Sequence, residues 1–558
     1  MRNILLGWKS CPGEFLLLWK SWPGQILLAL KTWQGSLVDK LAQYNLWGPG
    51  TGLPENAVGR EICTVLLEKL LRSCQRVRTV YVLMRPKDGV EPRQRLDQLF
   101  TCQVFSRLKK ENSRVLTRVV PINGDISMPE LGLSQSDTNM LAKQVSVVFH
   151  SAATVRFDEP LKKSVVLNML GTRRVLELSK KMSKLAAFIH VSTAYSYCNR
   201  KEIDEIIYPE NVSPQKVIDI AEWMDESMLE SILPKLMDGR PTTYHYSKAL
   251  AEHILATEGS GLPLAIVRPS IVTAAFKEPM PGWVDGVNGP STFIIMTGKG
   301  LLRTMLVYKG SVVDWMPVDM VANLLLTTAW HIGTHRPDGV KVYNCTSGDL
   351  NKVTWLDIHR TATPIINRFP SLHVIRYPGG SFKSHSVHNK LAIKLFHTLP
   401  AYVVDTLTWV FGHKTEFVSL VKRMERASGF LEYFTTYEWK FKCNNLIELR
   451  DLQNSVDRKL FDFDIRQVEW IPYLESYVKG VRKFLLHEDD STLPVARRRL
   501  MRLYYAELLA KTAVFLGIVH MLLTKTSLSQ HLLWFFINLT FHIMQRMPKS
   551  WLRYLMSH

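Results

Sequence analysis

The stretch from residue 188 to residue 248 opens with Phe188-Ile189-His190-Val191-Ser192-Thr193-Ala194-Tyr195-Ser196-Tyr197 and closes with Tyr244-His245-Tyr246-Ser247-Lys248. The first piece is a short apolar run that stops at two hydroxyl residues, the pattern of a buried parallel strand whose C-terminal end faces a site. The second reads as helix. A tyrosine and a lysine four positions apart lie on one helical face, so an ammonium can sit beside a phenol. A free phenol titrates near pH ~10; a neighbouring cation favours the phenolate and makes the group a better proton donor at neutral pH. This suits delivery of a proton to a carbonyl oxygen while hydride reaches the carbon, with Thr193 or Ser192 holding that oxygen.

Tyr-x-x-x-Lys alone equally describes a solvated helix face, so the flanking sequence decides. Downstream, Leu264-Ala265-Ile266-Val267-Arg268-Pro269-Ser270-Ile271-Val272 is another apolar strand, running into Arg-Pro-Ser. Upstream, Val65 to Arg72 has an amphipathic helical pattern and Thr79 to Met84 is a strand ending at Arg85-Pro86-Lys87. Val119 to Ile126 and Val145 to Phe149 are two further strands, the second leading into Ser151-Ala152-Ala153, small residues that let a backbone approach a ligand. This alternation of strands and helical stretches through about residue 275 predicts a doubly wound, mostly parallel sheet.

The order of strand-hydroxyl, Tyr-x-x-x-Lys and strand-Arg-Pro resembles the extended short-chain dehydrogenase/reductases. The segments His150 to Phe157, His190 to Tyr195, Tyr244 to Glu252, Pro281 to Asp285 and Phe461 to Arg466, then Trp470 and Tyr473, narrow this to the fatty acyl-CoA reductases, also called male-sterility-type reductases. The resemblance runs from about Val65 into the C-terminal tail. It implies NADPH-dependent reduction of a long-chain acyl-CoA to a primary alcohol by two hydride transfers, with Thr193, Ser192, Tyr244 and Lys248 catalytic and Asn168 positioning the lysine through water. For the cofactor it implies Asp125 and Ile126 at the adenine, Ala152 and Ala153 at close backbone approach, and Pro269, Ser270 and Ile271 beside the nicotinamide. Arg85 stands where such strands usually carry an acidic residue for a ribose hydroxyl, and a cation there suits the extra phosphate of NADP. A metal is not needed.

The resemblance fails at one place. A Thr-Gly-x-x-Gly-x-x-Gly turn should lead into the first helix, with the pyrophosphate on its N-terminus. Ala57-Val58-Gly59-Arg60-Glu61-Ile62-Cys63-Thr64 stands there instead, and Glu61 or Cys63 is expected to block the close approach that glycine permits. Asn3 to Gly7 resembles the missing strand and turn but is separated from the helix by three copies of an eleven-residue repeat around Trp8, Trp19 and Leu30; Gly48, Gly50 and Gly52 lack the spacing. The rival reading follows: a non-catalytic, reductase-like lipid or acyl-CoA binder.

Across 558 residues, 46% hydrophobic and 22% charged composition describes a globular chain with room for a sizeable core. The net charge of +20 points to phosphate-bearing ligands or anionic membranes. No finger spacing or aromatic-interleaved basic repeat supports nucleic acid. Seven dispersed cysteines without metal-ligand spacing fit free thiols in a reducing compartment. The expected organisation is an atypical segment over 1–60, an α/β Rossmann-type NADP-binding domain over 61–350, a mostly helical C-terminal domain over 351–490 and a hydrophobic tail over 491–558. The loop from Glu278 to Gly300 is expected at the substrate mouth, and Ala401 to Gly412 as a buried helix rather than the lining of an acyl tunnel or a membrane contact. In the tail, Arg497 to Arg502 precede apolar stretches Thr512 to Leu523 and Leu532 to Met544. A span, a hairpin or two interfacial helices are all compatible with them, the arginines keeping the catalytic portion cytosolic, on the endoplasmic reticulum or peroxisome.

Overall fold

The structure, a computed structural model, describes residues 57–287, 289–410 and 416–525, with isolated positions between 531 and 542. The N-terminal repeats, Asn3 to Gly7, the Gly48, Gly50 and Gly52 cluster and most of Leu532 to Met544 lie outside the described residues.

Four parallel strands form the centre: β3 (Val147–His150), β4 (Ala187–Val191), β5 (Leu264–Pro269) and β6 (Lys341–Cys345), in the spatial order β6-β5-β4-β3. Every residue of β4 and β5 is buried, as expected of strands covered on both faces. The register sets His150 beside His190 and Val191 beside Val267, so strand tips and their hydroxyl residues end at one level. Helix α1 (Ala57–Ser73) packs its Ile62, Val65 and Leu66 face on α4 (Val318–His335), and α2 (Gly171–Lys180) and α3 (Thr243–Glu258) cover the opposite side.

Two more parallel strands, β1 (Val80–Met84) and β2 (Val119–Asn123), pair with each other but not with the four-stranded sheet. Among the described residues no strand lies between β1 and β3. Their facing edges line a cavity of about 1920 Å³. The edges are correspondingly wet: β1 is only half-buried along its length and Val147 is exposed, in contrast to β4. The doubly wound sheet expected from the sequence is present, with no strand between β1 and β3 among the described residues.

The helices beyond residue 350 share this core. Tyr473, Leu474, Tyr477 and Val478 of α9 (Trp470–Gly480) pack with residues as distant as Ile62. The Tyr473 hydroxyl donates to Ala274 O at 2.7 Å and lies 2.6 Å from Thr273 Oγ1. The Pro281-Gly282-Trp283 loop, expected at a substrate mouth, is a packing element. Trp283 is fully buried, and Gly282 holds φ +76° so close to α9 that an added Cβ would sit 2.1 Å from Ser476 O. Only glycine fits there.

Candidate active site

Strand β4 delivers two adjacent hydroxyls, and strand alternation sends them to opposite sides. Ser192 turns inward. It hydrogen-bonds the Glu252 carboxylate and lies 3.1 Å from Ser196 Oγ, beside the fully buried Arg268–Glu252 ion pair at 2.6 Å. Arg268 also donates to the carbonyls of Asp204 and Ile206, so the arginine of Arg-Pro-Ser is a structural anchor. The expectation that Ser192 holds a substrate oxygen is corrected: its hydroxyl is spent on Glu252.

Thr193 turns the other way, its hydroxyl accepting from Tyr195 N at 3.3 Å and lying near enough to the Tyr244 phenol, at the first turn of α3, to lower its pKa. Phe157 stacks on Tyr244 with ring centroids 6.1 Å apart, and Phe434 lies 5.7 Å from Phe157. Phe434 comes from α8 (Phe417–Thr436), so the C-terminal helices supply part of the wall around the phenol. His245, next on α3, packs edge-on to Tyr244 at 5.0 Å and is fixed by Thr242 Oγ1 at 2.7 Å.

The phenol is not activated in the way the sequence suggested. Burial pushes its pKa up to about 12, opposed by the Thr193 hydrogen bond, and Lys248 takes no part in the shift. The Lys248 ammonium instead donates to Val191 O at 2.7 Å and sits 3.3 Å from His190 Nε2. Burial lowers this lysine to about 8, with Glu252 pulling the other way. His190 is held neutral by burial and by the Lys248 charge, so its Nε2 can accept from the ammonium. That tautomer leaves the proton on Nδ1, a buried nitrogen without a partner. At neutral pH the site therefore holds a protonated phenol and a charged lysine.

Asn168 does not bond Lys248 directly. Its side chain accepts from Thr154 N at 2.8 Å and donates to Thr154 O and to Ser247 Oγ at 2.9 Å, tying the loop after β3 to α3. It sits in a π-helical turn, Val165–Leu170, a feature that no residue pattern announced.

The residues expected at the cofactor fall into two groups. Arg85, Asp125, Ile126, Ala152 and Ala153 all line the large cavity, at the C-terminal tips of β1, β2 and β3. Arg85 reaches Asp125 at 3.4 Å. Burial acts to raise the Asp125 pKa, but Ser127 hydrogen bonds and the Arg85 charge outweigh it and hold the carboxyl below its ordinary value. Pro269, Ser270 and Ile271 lie apart from that cavity, where β5 ends. The Ser270 amide bonds Cys345 O at 3.0 Å, and its buried hydroxyl has no partner among the described residues. A nicotinamide carboxamide could use that hydroxyl.

Between the groups, the expected turn is helix. Residues 57–64 belong to α1, so the amides from Glu61 onward are committed to intrahelical bonds. Glu61 does not block the site as expected. It points to the other side, accepting from Asp285 N at 3.0 Å and Gly286 N at 2.6 Å, and burial raises it to about 8. Cys63 does face the cavity and meets the Ser151 hydroxyl. The adenosine and nicotinamide ends thus fit a dinucleotide, and between them Gly59 of α1 leaves 3.6 Å between a built Cβ and Ser151 O.

A parallel sheet with a Thr–Tyr–Lys constellation at its strand tips defines a Rossmann-type reductase of the extended short-chain class. The male sterility protein family matches residues 62–325, and its second, C-terminal family unit matches 396–488. The fatty acyl-CoA reductase 1 of Gallus gallus is 40% identical over 477 residues, covering 86% of this chain and 93% of that protein. The fatty acyl-CoA reductase 2 of Mus musculus is 39% identical over 473 residues, 85% of this chain and 92% of its own length. Among solved structures, the terminal R domain of the myxalamid PKS-NRPS pathway shares the fold with a TM-score of 0.50 at 17% identity, over 75% of this chain and 87% of that one. The chain belongs to the male-sterility-type fatty acyl-CoA reductase family.

Proposed function

We propose that this chain reduces long-chain fatty acyl-CoA to primary alcohol with NADPH, and that Thr193, Tyr244 and Lys248 carry the chemistry. The observation that carries the reading is the gathering of Thr193 at the end of β4, a buried, protonated Tyr244 phenol under Phe157, and Lys248 held by Val191 O on the next turn of α3. The cofactor, when bound, supplies hydride to the carbonyl carbon. Thr193 and Tyr244 meet the thioester oxygen and stabilise the charge that grows on it, and the phenol, protonated at neutral pH, gives up its proton to that oxygen. The resulting hemithioacetal loses its C–S bond to give aldehyde and the coenzyme A thiol. A second reduction of the aldehyde at the same groups yields the alcohol. Lys248 provides the buried positive charge for ribose hydroxyls and for recharging the phenol. Phe157 and Phe434 form an apolar wall that excludes water beside the reacting carbon.

Arg85 supports NADPH over NADH, since a guanidinium beside Asp125 offers a bidentate site to a 2′-phosphate. Helix α10 (Leu493–Lys525) supports membrane attachment. It is one continuous helix whose apolar part is fully exposed, and its Arg497, Arg498 and Arg499 suit a cytosolic placement of the catalytic portion.

The helical course of residues 57–64 favours a second reading, in which the chain binds acyl-CoA without turning it over. Fluorescence titration with NADPH, followed by product analysis with palmitoyl-CoA, separates the two. Saturable binding weakened by Arg85→Glu, with alcohol formed by the unmodified protein and not by Tyr244→Phe, is the expected result. Absence of binding at millimolar NADPH would leave the non-catalytic reading.

A further inference from the structure

Surface helices normally turn their large apolar side chains toward the protein. The run formed by α6 (Ser386–Ile393), a π turn (Lys394–Thr398) and α7 (Leu399–Val410) does the opposite. Its inward face is small or polar, with Asn389, Ala392, His397, Ala401 and Thr408 buried. Its outward face carries Val387, Leu391, Leu395, Leu399, Val403 and Leu407, one every fourth residue, all exposed. Trp409 closes the run at 71% exposure. The expectation of a buried helix for Ala401 to Gly412 is thereby overturned in its described part.

Three further observations say what covers this face. The first is continuity with α10. Arg303 donates its backbone amide to His397 Nε2 at 2.9 Å and its guanidinium to Glu507 of α10 at 3.1 Å, so one residue joins the apolar run to the root of the exposed apolar helix. Tyr377 and Tyr504 pack beside it with centroids 5.1 Å apart. The second is charge. Lys390, Lys394, Lys422, Arg426, Arg498 and Arg502 are exposed on α6, the π turn, α8 and α10. The only acid from 386 to 410 is Asp405, and it is turned away to accept from Phe417 N at 3.0 Å and Val418 N at 2.9 Å at the start of α8. An apolar stripe whose own helices carry exposed lysines and no free carboxylate matches anionic headgroups over acyl chains, and at α8 the exposed Glu416 and Glu432 stand against Lys422 and Arg426. The third is placement: α8 runs from beside this surface to Phe434 near the Tyr244 site, about 26 Å at 1.5 Å per residue.

We propose that α6–α7 is a second membrane-contact surface, lying in the headgroup boundary of an anionic bilayer beside the point where α10 enters it. The inference rests on the membrane attachment through α10 proposed above. The test uses the full chain reconstituted in phosphatidylcholine vesicles containing phosphatidylserine. An environment-sensitive NBD label is placed on Val403→Cys, Trp409→Cys, Leu516→Cys of α10 and, as a water control, Glu222→Cys; signal from the labelled unmodified chain is subtracted.

The expected result is a blue-shifted emission, lost on adding doxyl-labelled lipids, at 403, 409 and 516, with neither effect at 222. The shift at 403 and 409 should shrink when phosphatidylserine is omitted and when Leu407→Glu is combined with the label. Quenching at 516 but not at 403 and 409 would overturn this surface and leave the α10 attachment standing. No lipid quenching at any of the three would overturn both. A blue shift at 403 without lipid quenching, accompanied by cross-links between copies, would assign the face to a second copy of the chain and equally overturn the proposal.

Discussion

The two halves of the sheet differ in completeness. From β3 to β6 each strand is paired and from β4 onward covered, and nearby residues are fixed by buried partners: Lys248 by Val191 O, Ser192 by Glu252, Asn168 by Thr154 and Ser247. From β1 to β3 two apolar edges face a cavity, and the residues at their tips, Arg85 and Ala152, are exposed. The proton-handling groups are thus held by one half of the doubly wound sheet, while the adenosine-end residues proposed for the cofactor, Arg85 and Asp125 among them, line the cavity of the other. Turnover and affinity should therefore respond to separate substitutions.

The largest separation is expected from Tyr244→Phe. Removing the proton donor should lower kcat with palmitoyl-CoA by about 10²–10⁴ while NADPH affinity stays unchanged; a matching loss of affinity would show that the two halves are not independent. Next comes Glu252→Gln, which strands the Arg268 guanidinium in a fully buried position. Breaking such a pair costs about 3–5 kcal/mol, read by chemical denaturation, whereas Ser192→Ala should leave kcat intact because its hydroxyl faces the ion pair. In the other half, Arg85→Glu should weaken NADPH binding by about tenfold, or 1.4 kcal/mol, and leave NADH binding unaffected by comparison.

The smallest effect is the pH response of Lys248. With its pKa lowered to about 8 by burial, the ammonium is lost as pH rises through about 8, and kcat/KM should fall there. Stability should move the other way. Because the folded pKa lies below the unfolded one, the unfolded chain binds more protons above about 8, so stability rises with pH up to the ordinary lysine value. An alkaline loss of activity without loss of folded protein, absent in Lys248→Met, would check both signs.

Much of this was legible in the sequence. Strand β4 and the hydroxyls at its end, α3 with Tyr244 and Lys248, β5 with Arg-Pro-Ser, and β1 with Arg85 follow from apolar runs that stop at polar residues. Strand alternation could also have decided that only one of Ser192 and Thr193 faces the site. Other features depend on contacts between remote segments. Phe434 reaches the phenol from nearly two hundred residues away, with only the aromatic run of Tyr433 to Trp439 as a signal. The direction of the Tyr244 shift depends on burial, which spacing does not report. Trp283 reads as a loop residue beside two turn formers, yet it is core because Gly282 lets that loop close against α9. The helical course of residues 57–64 was hidden by the comparison with a glycine turn, although Glu61 to Leu71 is a continuous run without glycine or proline.

The central claim is that Thr193, Tyr244 and Lys248 reduce an acyl thioester twice at one place. The most direct measurement is single-enzyme conversion of palmitoyl-CoA with NADPH deuterated on its transferring face, with the alcohol analysed by mass spectrometry. The account predicts hexadecanol carrying two deuterium atoms on its first carbon from the unmodified chain and none from Tyr244→Phe. Saturable NADPH binding with no deuterated aldehyde or alcohol, or equal product from Tyr244→Phe, would contradict it.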